Sequence, residues 1–153
     1  MQLFLSLGSN LGDKRRNLLD ACALIAERVG KITASSEIID TEPWGYQSSN
    51  LYLNKCIAVE TEMPVETVLS VTQQIERELG RTVKSVDGTY NDRTVDIDIL
   101  FYGNLIYDSA VLTVPHRLLH LRRFVLEPLA QIAPDFVHPV LGKTISQLLA
   151  NLD

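Results

Sequence analysis

The spacing of apolar residues predicts a strand followed by an amphipathic helix at the start of the chain. The stretch "QLFLSL" is apolar enough for a buried strand, and the turn residues of "GSNLGD" end it. Asp13 is placed to cap the helix that follows, and Gly30 stops it. The apolar positions of this helix recur at helical spacing at Leu18, Leu19, Cys22, Ile25, Ala26 and Val29.

Two strands and a second helix are predicted next. The strands cover residues 31–40 and 52–62, and the loop between them, 41–50, contains Pro, Gly, Ser and Asn. Pro64 opens the helix and Gly80 ends it. Its apolar face is formed by Val65, Val68, Leu69, Thr72, Ile75 and Leu79.

The remainder begins with a polar stretch, residues 81–92, that is long for a simple connection and is typical of a lid or binding loop. A fourth strand at 94–103 and a short segment at 105–108 follow. The last parts, 122–136 and 144–152, have the pattern of helices with proline breaks.

The order of these elements predicts an α+β fold of the ferredoxin-like kind. Strand, helix, strand, strand, helix and strand form the split unit of that fold, an α/β sandwich with helices packed on an antiparallel sheet, and C-terminal helical additions follow. With 153 residues, 46% hydrophobic content and no Ser- or Gly-rich linker, the chain is expected to form a single domain over residues 1–153. A self-sufficient domain favours a monomer.

The composition of the chain mainly excludes classes of protein and of partner. No stretch approaches the roughly 20 apolar residues needed to span a bilayer. The first charges follow the first apolar run, the reverse of a secretory signal, so we expect a cytoplasmic protein with no membrane partner. The net charge of -5 disfavours nucleic acid as a partner. Cys22 and Cys56 have no metal-binding or disulfide spacing and are expected to be small core residues.

Two acids, Asp96 and Asp98, interrupt the otherwise apolar strand in "RTVDIDIL". Alternate side chains of a strand share a face, so the acids project together, about 7 Å apart along the strand, while the Val and Ile residues between them project the other way. A solvated outer face of an antiparallel sheet would explain them. Because Leu100 shares their face and basic residues lie nearby in the sequence, a site for a hard cation such as Mg²⁺ is the second interpretation.

A cluster of basic residues accompanies the acids. Six of the 14 Lys and Arg residues fall within one segment, at Arg81, Lys84, Arg93, Arg117, Arg122 and Arg123. Each alone is typical of a solvated surface, but together they favour a nucleotide polyphosphate, because the planar fork of arginine suits phosphate oxygens. No GxxxxGK[ST] loop is present, so a P-loop kinase is excluded and phosphates would be held by side chains and metal.

Polar residues inside apolar elements give the last indications. Glu76 lies within the apolar arc of the second helix, with Gln73 at its flank, and either reaches solvent at the helix end or forms a polar floor for a ligand. Tyr52 and Asn54 share one face of a strand, and Trp44 lies in the preceding loop. Aromatic residues in strands usually belong to the core, but an aromatic ring beside an amide can also stack on a flat heterocycle and bind its edge.

These motifs together resemble one family, 6-hydroxymethyl-7,8-dihydropterin pyrophosphokinase, an enzyme of folate biosynthesis. The matching segments cover nearly the whole chain in order, and they are "LGSNLGD", "TEPWG", "YLN", "QQIERELGR", "DRTVDIDILFYG", "TVPH" and "RRFVLEPL". The resemblance implies that ATP is the co-substrate. It also implies that the β,γ-pyrophosphoryl group of ATP is transferred to the hydroxymethyl oxygen of the dihydropterin, with release of AMP.

The same resemblance implies roles for the acids and the pterin pocket. Asp96 and Asp98 would hold two Mg²⁺ ions that bridge the ATP phosphates. Tyr52 and Phe124 would enclose the pterin ring, and Asn54 would bond its edge. The full set of pterin-binding residues would be Thr41, Trp44, Tyr52, Asn54 and Phe124.

The ATP contacts implied by the resemblance lie on several elements. They are Gln73, Glu76, Arg81, Ile99, Thr113, His116, Arg117 and Arg122. Catalytic charge stabilisation would come from Arg93, Lys84, Arg122 and His116. A phosphate-donor role suits His116 better than that of a base. The chain departs from the family pattern at Arg117, where an aromatic residue is common, and at Val83, where relatives often have an arginine.

Two other functions compete for a ferredoxin-like fold, a nucleotide-binding regulatory module and an RNA-binding platform. An RNA platform needs exposed aromatic residues and a basic face on its central strands, whereas the fourth strand here carries two acids. A regulatory module would bind nucleotide without consuming it. Formation of AMP from ATP therefore separates the module from the enzyme.

Overall fold

The structure is a computed structural model that describes residues 1–41, 51–80 and 94–152. Its strands are β1 (Gln2–Ser9), β2 (Lys31–Ser35), β3 (Ile39–Thr41), β4 (Tyr52–Glu60), β5 (Asp96–Tyr102), β6 (Tyr107–Asp108) and β7 (Thr113–Val114). Its helices are α1 (Lys14–Arg28), α2 (Val65–Gly80), α3 (Arg123–Ile132) and α4 (Ile145–Ala150), and a 3-10 turn covers Leu119–Leu121. Four predicted site residues lie outside the described residues, namely Trp44, Arg81, Lys84 and Arg93.

The main sheet has five antiparallel strands. Four of them follow the order β2-β4-β1-β5, and β3 also pairs with β4. β1 is central, since its Leu5 pairs with Ile57 of β4 on one side and with Ile99 of β5 on the other. β6 and β7 form a separate two-stranded pair. The antiparallel sheet with helices packed on it confirms the predicted α+β, ferredoxin-like class.

Helices cover both faces of the sheet. Leu3, Leu5 and Leu7 of β1 are fully buried in a first core with residues of α1 and α2 such as Ile25 and Ile75. The opposite face forms a second core with α3 and α4, made of Phe4, Cys56, Ala58, Leu100, Phe101, Leu119, Val125, Leu126, Leu129, Ile145 and Leu148. The predicted C-terminal additions therefore form the second helical layer, so the face of β5 that carries the acids is not a simple outer face.

An aromatic cluster joins the segment after α3 to the centre of the sheet. The ring centroid of Phe136 lies 4.7 Å from that of Phe101 in β5 and 5.1 Å from that of Phe4 in β1. The imidazole of His138 meets the Phe101 ring edge-on at a centroid distance of 5.3 Å. Tilted and edge-on contacts are the favourable arrangements of aromatic rings, so these contacts anchor the C-terminal segment on the second core.

The prediction of one strand over residues 31–40 is wrong, because the chain breaks between β2 and β3. Ser36 is buried at the break, where its N–H donates to the Cys56 carbonyl oxygen and its Oγ accepts the Cys56 N–H, both at 2.9 Å. Ser35 and Ile39 are four residues apart, whereas their partners on β4 are three apart. One extra residue on one strand is the definition of a β-bulge, and it bends the chain toward β3.

The ends of α1 agree with the predicted signals. The Asp13 carboxylate accepts the backbone N–H of Arg16 at 3.3 Å, which confirms the predicted N-cap. α1 ends at Arg28 with Val29 as its C-cap, so Gly30 follows the helix end directly, as predicted. Gly30 is also needed for close packing, because a Cβ there would collide with the carbonyl oxygen of Glu60. Within the described ranges, no helix combines the length and the apolar character needed to cross a bilayer.

Both cysteines are free and packed against the cores, as predicted. Cys56 is fully buried in the second core, and burial raises the pKa of its thiol. Cys22 lies at the margin of the first core, where burial raises its pKa and the nearby Lys55 opposes the change. A raised pKa keeps a thiol protonated, so neither cysteine is activated as a nucleophile.

Candidate active site

β5 carries the acid pair on the second face of the sheet. Asp96 and Asp98 are half-buried, whereas Ile97 between them is buried in the first core. The predicted alternation of the two faces is therefore confirmed. Leu100, which shares the face of the acids, is buried in the second core. The acids thus lie at the margin of a covered face, which contradicts the interpretation of a solvated outer face.

A row of small residues on β1 lies between the acids and β4. Gly8 pairs with Asn54 on one side and with Asp96 on the other, and Ser6 pairs with Asp98. A Cβ at Gly8 would lie 2.9 Å from Asn54 Oδ1 and 3.5 Å from the ring of Tyr52. Only glycine lets the Asn54 amide and the Tyr52 ring lie this close to β1 beside the first acid.

Sequence reasoning missed Gly8 as a site residue. A signal for it is present in the first strand, where the large Leu3, Leu5 and Leu7 alternate with Ser6 and Gly8. This pattern indicates one packed face and an opposite face that changes from the large Phe4 to small residues toward the end of the strand. Its meaning depends on the cross-strand partners of Gly8, which only the register reveals.

The predicted pterin residues on β3, β4 and α3 lie on the same face. Asn54 is 4% exposed, and Tyr52, two residues before it, is half-buried. The main chain of Thr41 pairs with Tyr52 at the end of β3. Phe124 lies in the first turn of α3, which contacts both β3 and β4, and it packs against the second core. Tyr52 and Asn54 thus lie beside Gly8, with Thr41 paired to Tyr52 and Phe124 on the helix that contacts their strand.

His116 is attached to β5 through its main chain. Its N–H donates to the Leu100 carbonyl oxygen at 3.0 Å, and its Nδ1 accepts the Leu118 N–H at 3.2 Å. Burial lowers the pKa of the imidazole, the Asp98 carboxylate opposes this change, and two nearby arginines, first Arg122, add to it. His116 is therefore a neutral imidazole whose proton is assigned to Nε2, which makes it a hydrogen-bond donor near the acid pair.

The arginines of the predicted basic cluster separate into different environments. Arg122 is half-buried just before α3, with its guanidinium carbon 5.6 Å from the centre of the Phe124 ring, within the range of a cation–π contact. Arg117 is exposed. Arg123 is exposed on α3 and pairs with Glu127 one turn away at 3.4 Å. Of these three, Arg122 is the one embedded among the site residues.

Glu76 on α2 has a contact that neither sequence interpretation described. Its Oε2 accepts the backbone N–H of Ile97 at 2.7 Å, so the half-buried carboxylate of α2 binds the edge of β5. Gln73, one turn earlier, is exposed. The helix therefore reaches β5 through Glu76, at the residue between the two acids.

The two predicted adenine contacts differ in what they can offer a ligand. The Ile99 side chain is 3% exposed in the first core, so only its main chain can meet a nucleotide. Thr113 is half-buried in β7, where its hydroxyl donates to the Asp108 carboxylate at 3.1 Å. β7 contacts β5, which brings both residues to the outer side of the sheet.

The acid pair offers ligands that suit Mg²⁺ bound together with a nucleotide. Among the residues that the structure describes, no group of three or more His, Cys, Asp or Glu side chains could enclose a metal. Magnesium rarely uses a cage of protein ligands and usually takes one or two carboxylates together with waters and substrate phosphates. Two carboxylates on one rigid strand therefore suit Mg²⁺ that arrives with a nucleotide.

Comparison with known proteins identifies the family. The sequence profile of the 7,8-dihydro-6-hydroxymethylpterin-pyrophosphokinase (HPPK) family matches residues 4–134. A 2-amino-4-hydroxy-6-hydroxymethyldihydropteridine pyrophosphokinase of Porphyromonas gingivalis is 44% identical over 140 residues, which are 90% of this chain and 93% of the relative. The protein of the same name from Methylorubrum extorquens is 38% identical over 151 residues, 98% of this chain and 92% of the relative.

The fold is also similar to that of a solved structure, the crystal structure of an HPPK-DHPS in complex with substrates. The TM-score is 0.75 at 15% identity, and the match covers 97% of this chain. The chain spans 42% of the length of that protein. At this identity the similarity shows the fold.

The similarity to these relatives identifies the chain as a transferase of pterin metabolism. It belongs to the HPPK family. Enzymes of this family use ATP to transfer pyrophosphate to hydroxymethyldihydropterin in folate biosynthesis. The family, the enzyme class and the reaction predicted from the sequence are therefore confirmed.

Proposed function

We propose that the second face of the sheet binds the pterin and ATP side by side and transfers the β,γ-pyrophosphoryl group to the pterin hydroxymethyl oxygen, releasing AMP. The observation that carries this arrangement is the position of Gly8, which pairs with Asn54 on the pterin side and with Asp96 on the metal side. Gly8 thus lies between the two halves of the site. The reacting oxygen and the β-phosphorus would meet above it.

The pterin half uses an amide and aromatic rings. Asn54 is buried beside Gly8, so its amide presents fixed donors and an acceptor to the edge of a flat heterocycle. Tyr52 and Phe124 would enclose the ring, because both are half-buried on this face and retain exposed area. The main chain of Thr41 would complete the pocket, together with Trp44, which lies outside the described residues.

Asp96 and Asp98 would hold Mg²⁺, with two ions as the number implied by the family resemblance. When bound with the nucleotide, the metal supplies positive charge that neutralises the triphosphate. The carboxylates would gain from it as well, since they repel each other along one strand. Their half-buried environment strengthens both effects relative to a fully exposed site.

The nucleotide half is formed by the outer side of β5 and the segment before α3. His116 would donate from Nε2 to a phosphate oxygen, because its Nδ1 is already engaged by Leu118. Arg122 would provide a charged fork to the same phosphates. The remaining contacts proposed for ATP are Gln73, Glu76, Ile99 through its main chain, Thr113 and Arg117. Arg81, Lys84 and Arg93 are proposed from the resemblance alone.

Positioning and charge stabilisation would supply most of the rate enhancement. Phosphoryl-type transfer needs little covalent chemistry from the protein and depends on holding the nucleophile in line. His116 is unsuited as the base, because its Nδ1 already accepts the Leu118 N–H and its Nε2 carries the proton in the assigned tautomer. We therefore nominate no general base, and the hydroxyl proton would leave with solvent or phosphate oxygen.

The test is a product analysis. The protein is incubated with ATP, Mg²⁺ and 6-hydroxymethyl-7,8-dihydropterin, and nucleotides are separated by chromatography. AMP formed in equal amount to the pterin diphosphate supports the proposal, whereas ADP or unconsumed ATP contradicts it.

The single domain, the monomeric state and the cytoplasmic location stay predictions from the sequence.

A further inference from the structure

The outer edge of β5 carries an unusual attachment. In the sheet order β2-β4-β1-β5, this strand has a partner on one side, and its other edge faces away from β1. In an antiparallel pair, successive residues point their backbone N–H groups alternately toward the partner and away from it. The Ile97 N–H points away, and the Glu76 carboxylate accepts it at 2.7 Å.

This attachment lies between the two acids. Because Ile97 points outward, the ladder alternation makes Asp96 and Asp98 the residues that bond inward, to Gly8 and Ser6. The three-residue segment is therefore held on both edges, by β1 inside and by α2 outside. A rotation of this backbone would move both carboxylates together, so the bond to Ile97 governs the direction of the pair.

The position of the segment explains why such a bond is needed. β5 begins at Asp96, so the acids occupy the end of a strand, where pairing opens most readily. α2 is a firm support, since Val68 and Ile75 on its inner face are fully buried. A carboxylate is also the strongest acceptor for a backbone amide, because a hydrogen bond to an ionised group exceeds a neutral one.

We propose that Glu76 is a positioning residue that fixes the start of β5 so that Asp96 and Asp98 are preset for a divalent cation. The carboxylate acts through the Ile97 amide, whatever contact it also makes with nucleotide. This proposal rests on the metal role given to the acids in the proposed function. The proposal concerns how firmly the backbone at the start of β5 is held before any ligand binds.

The test compares Glu76→Ala with Glu76→Gln, whose side-chain oxygen can still accept the amide. Arg28→Ala is the matched control, because Arg28 of α1 binds Glu78, two residues from Glu76 on α2, through two hydrogen bonds of 2.5 and 3.0 Å and takes no part in the bond to Ile97. The first measurement is the hydrogen-exchange rate of the Ile97 amide in the metal-free protein by NMR. The second is Mn²⁺ affinity in the presence of a non-hydrolysable ATP analogue, by electron paramagnetic resonance of free Mn²⁺.

We expect Glu76→Ala to speed exchange at Ile97 by about tenfold or more and to weaken Mn²⁺ binding by about tenfold, the usual effect of losing a group that orients a metal ligand. Glu76→Gln should stay closer to wild type than to Glu76→Ala in both measurements. Arg28→Ala should leave Mn²⁺ affinity unchanged. It should change exchange at Ile97 only as much as it changes exchange of amides throughout the protein.

Three outcomes overturn the proposal. Ile97 exchange in Glu76→Ala equal to that in Arg28→Ala removes the structural role. Unchanged Mn²⁺ affinity with faster exchange removes the link to the acids. Equal losses in Glu76→Gln and Glu76→Ala show that the charge acts, not the hydrogen bond. If wild type itself binds no Mn²⁺ with nucleotide, the metal assignment of the proposed function fails, while the exchange measurement still reports on the strand.

Discussion

At the scale of single residues, the site depends on where side chains are missing as much as on where they are present. Gly8 lies between an amide and an acid that have separate proposed tasks, and any larger residue would press on Asn54. The two acids are held by the pairing of β5 with β1. Each of these features can be tested with one substitution.

Gly8→Ala should weaken pterin binding. The added Cβ would lie 2.9 Å from Asn54 Oδ1, so the amide must move and its bond to the ring edge is lost or strained. We expect about a tenfold rise in the Kd for the pterin, the equivalent of one hydrogen bond. Calorimetric titration of pterin with a non-hydrolysable ATP analogue present measures it. Gly80→Ala is the control, because the nearest atom to its Cβ among the described residues would be Thr94 Oγ1 at 4.0 Å, and equal effects in the two variants would count against the explanation.

Asp96→Ala and Asp98→Ala should each lower turnover by about a hundredfold or more, the usual loss when one key electrostatic group is removed. AMP formation at saturating Mg²⁺ is the measurement. Asp20→Ala on α1, where the acid pairs with Arg16 at 3.2 Å on the surface, serves as the control and should leave turnover unchanged. Near-normal turnover in both site variants would refute the metal assignment.

At the scale of elements, the periodicity of the sequence predicts the features that local spacing determines. It misses the features that depend on contacts with other strands. The helical spacing of residues such as Ile25 and Ile75 places α1 and α2 correctly, and the alternation around Ile97 places the acids on the correct face. The break at Ser36 was missed because its cause is a pair of hydrogen bonds to Cys56, on a strand 20 residues away. The role of Gly8 was missed for the same reason, since its neighbours come from two other strands.

Ser36→Ala should destabilise the fold. It removes the hydroxyl that accepts the buried Cys56 N–H, and an unsatisfied buried amide costs about 1–3 kcal/mol. Urea denaturation should report that decrease in the free energy of unfolding. Ser35→Ala, at the neighbouring exposed position, should change it by less than about 0.5 kcal/mol. The bulge explanation does not survive if the two variants are equally stable.

At the scale of the whole molecule, one sheet separates two cores with different tasks. The first core joins α1 and α2 to the sheet, whereas the second supports the face on which the site lies. The second core also reaches the C-terminal segment through His138, which is 5% exposed. Its Nδ1 accepts the N–H groups of Val140 and Leu141, both at 3.1 Å, which only an imidazole unprotonated at that nitrogen can do.

Stability should therefore fall on mild acidification. Burial lowers the pKa of His138, with the charge of His120 adding to this effect. A lowered folded pKa means that the contribution is complete above the ordinary value near 6.5 and is lost as pH falls through the folded value. Denaturation at pH 7.5 and at pH 5 measures the loss, and His138→Gln should reduce it. The remaining decrease would include His116, whose pKa is lowered in the same direction. An identical pH dependence in His138→Gln would contradict the assignment.

The family profile ends before the packing contacts of the chain do, because Phe136 contacts Phe101 and Phe4. The family profile stops at residue 134, yet Phe136 and the buried Ile145 and Leu148 lie beyond it. A protein trimmed to the matched region would retain every residue proposed to contact a ligand. It would lose part of the second core, which packs against the strand that carries the acids. Boundaries for a minimal catalytic fragment should therefore be drawn from the aromatic packing, and not from the limits of the family profile.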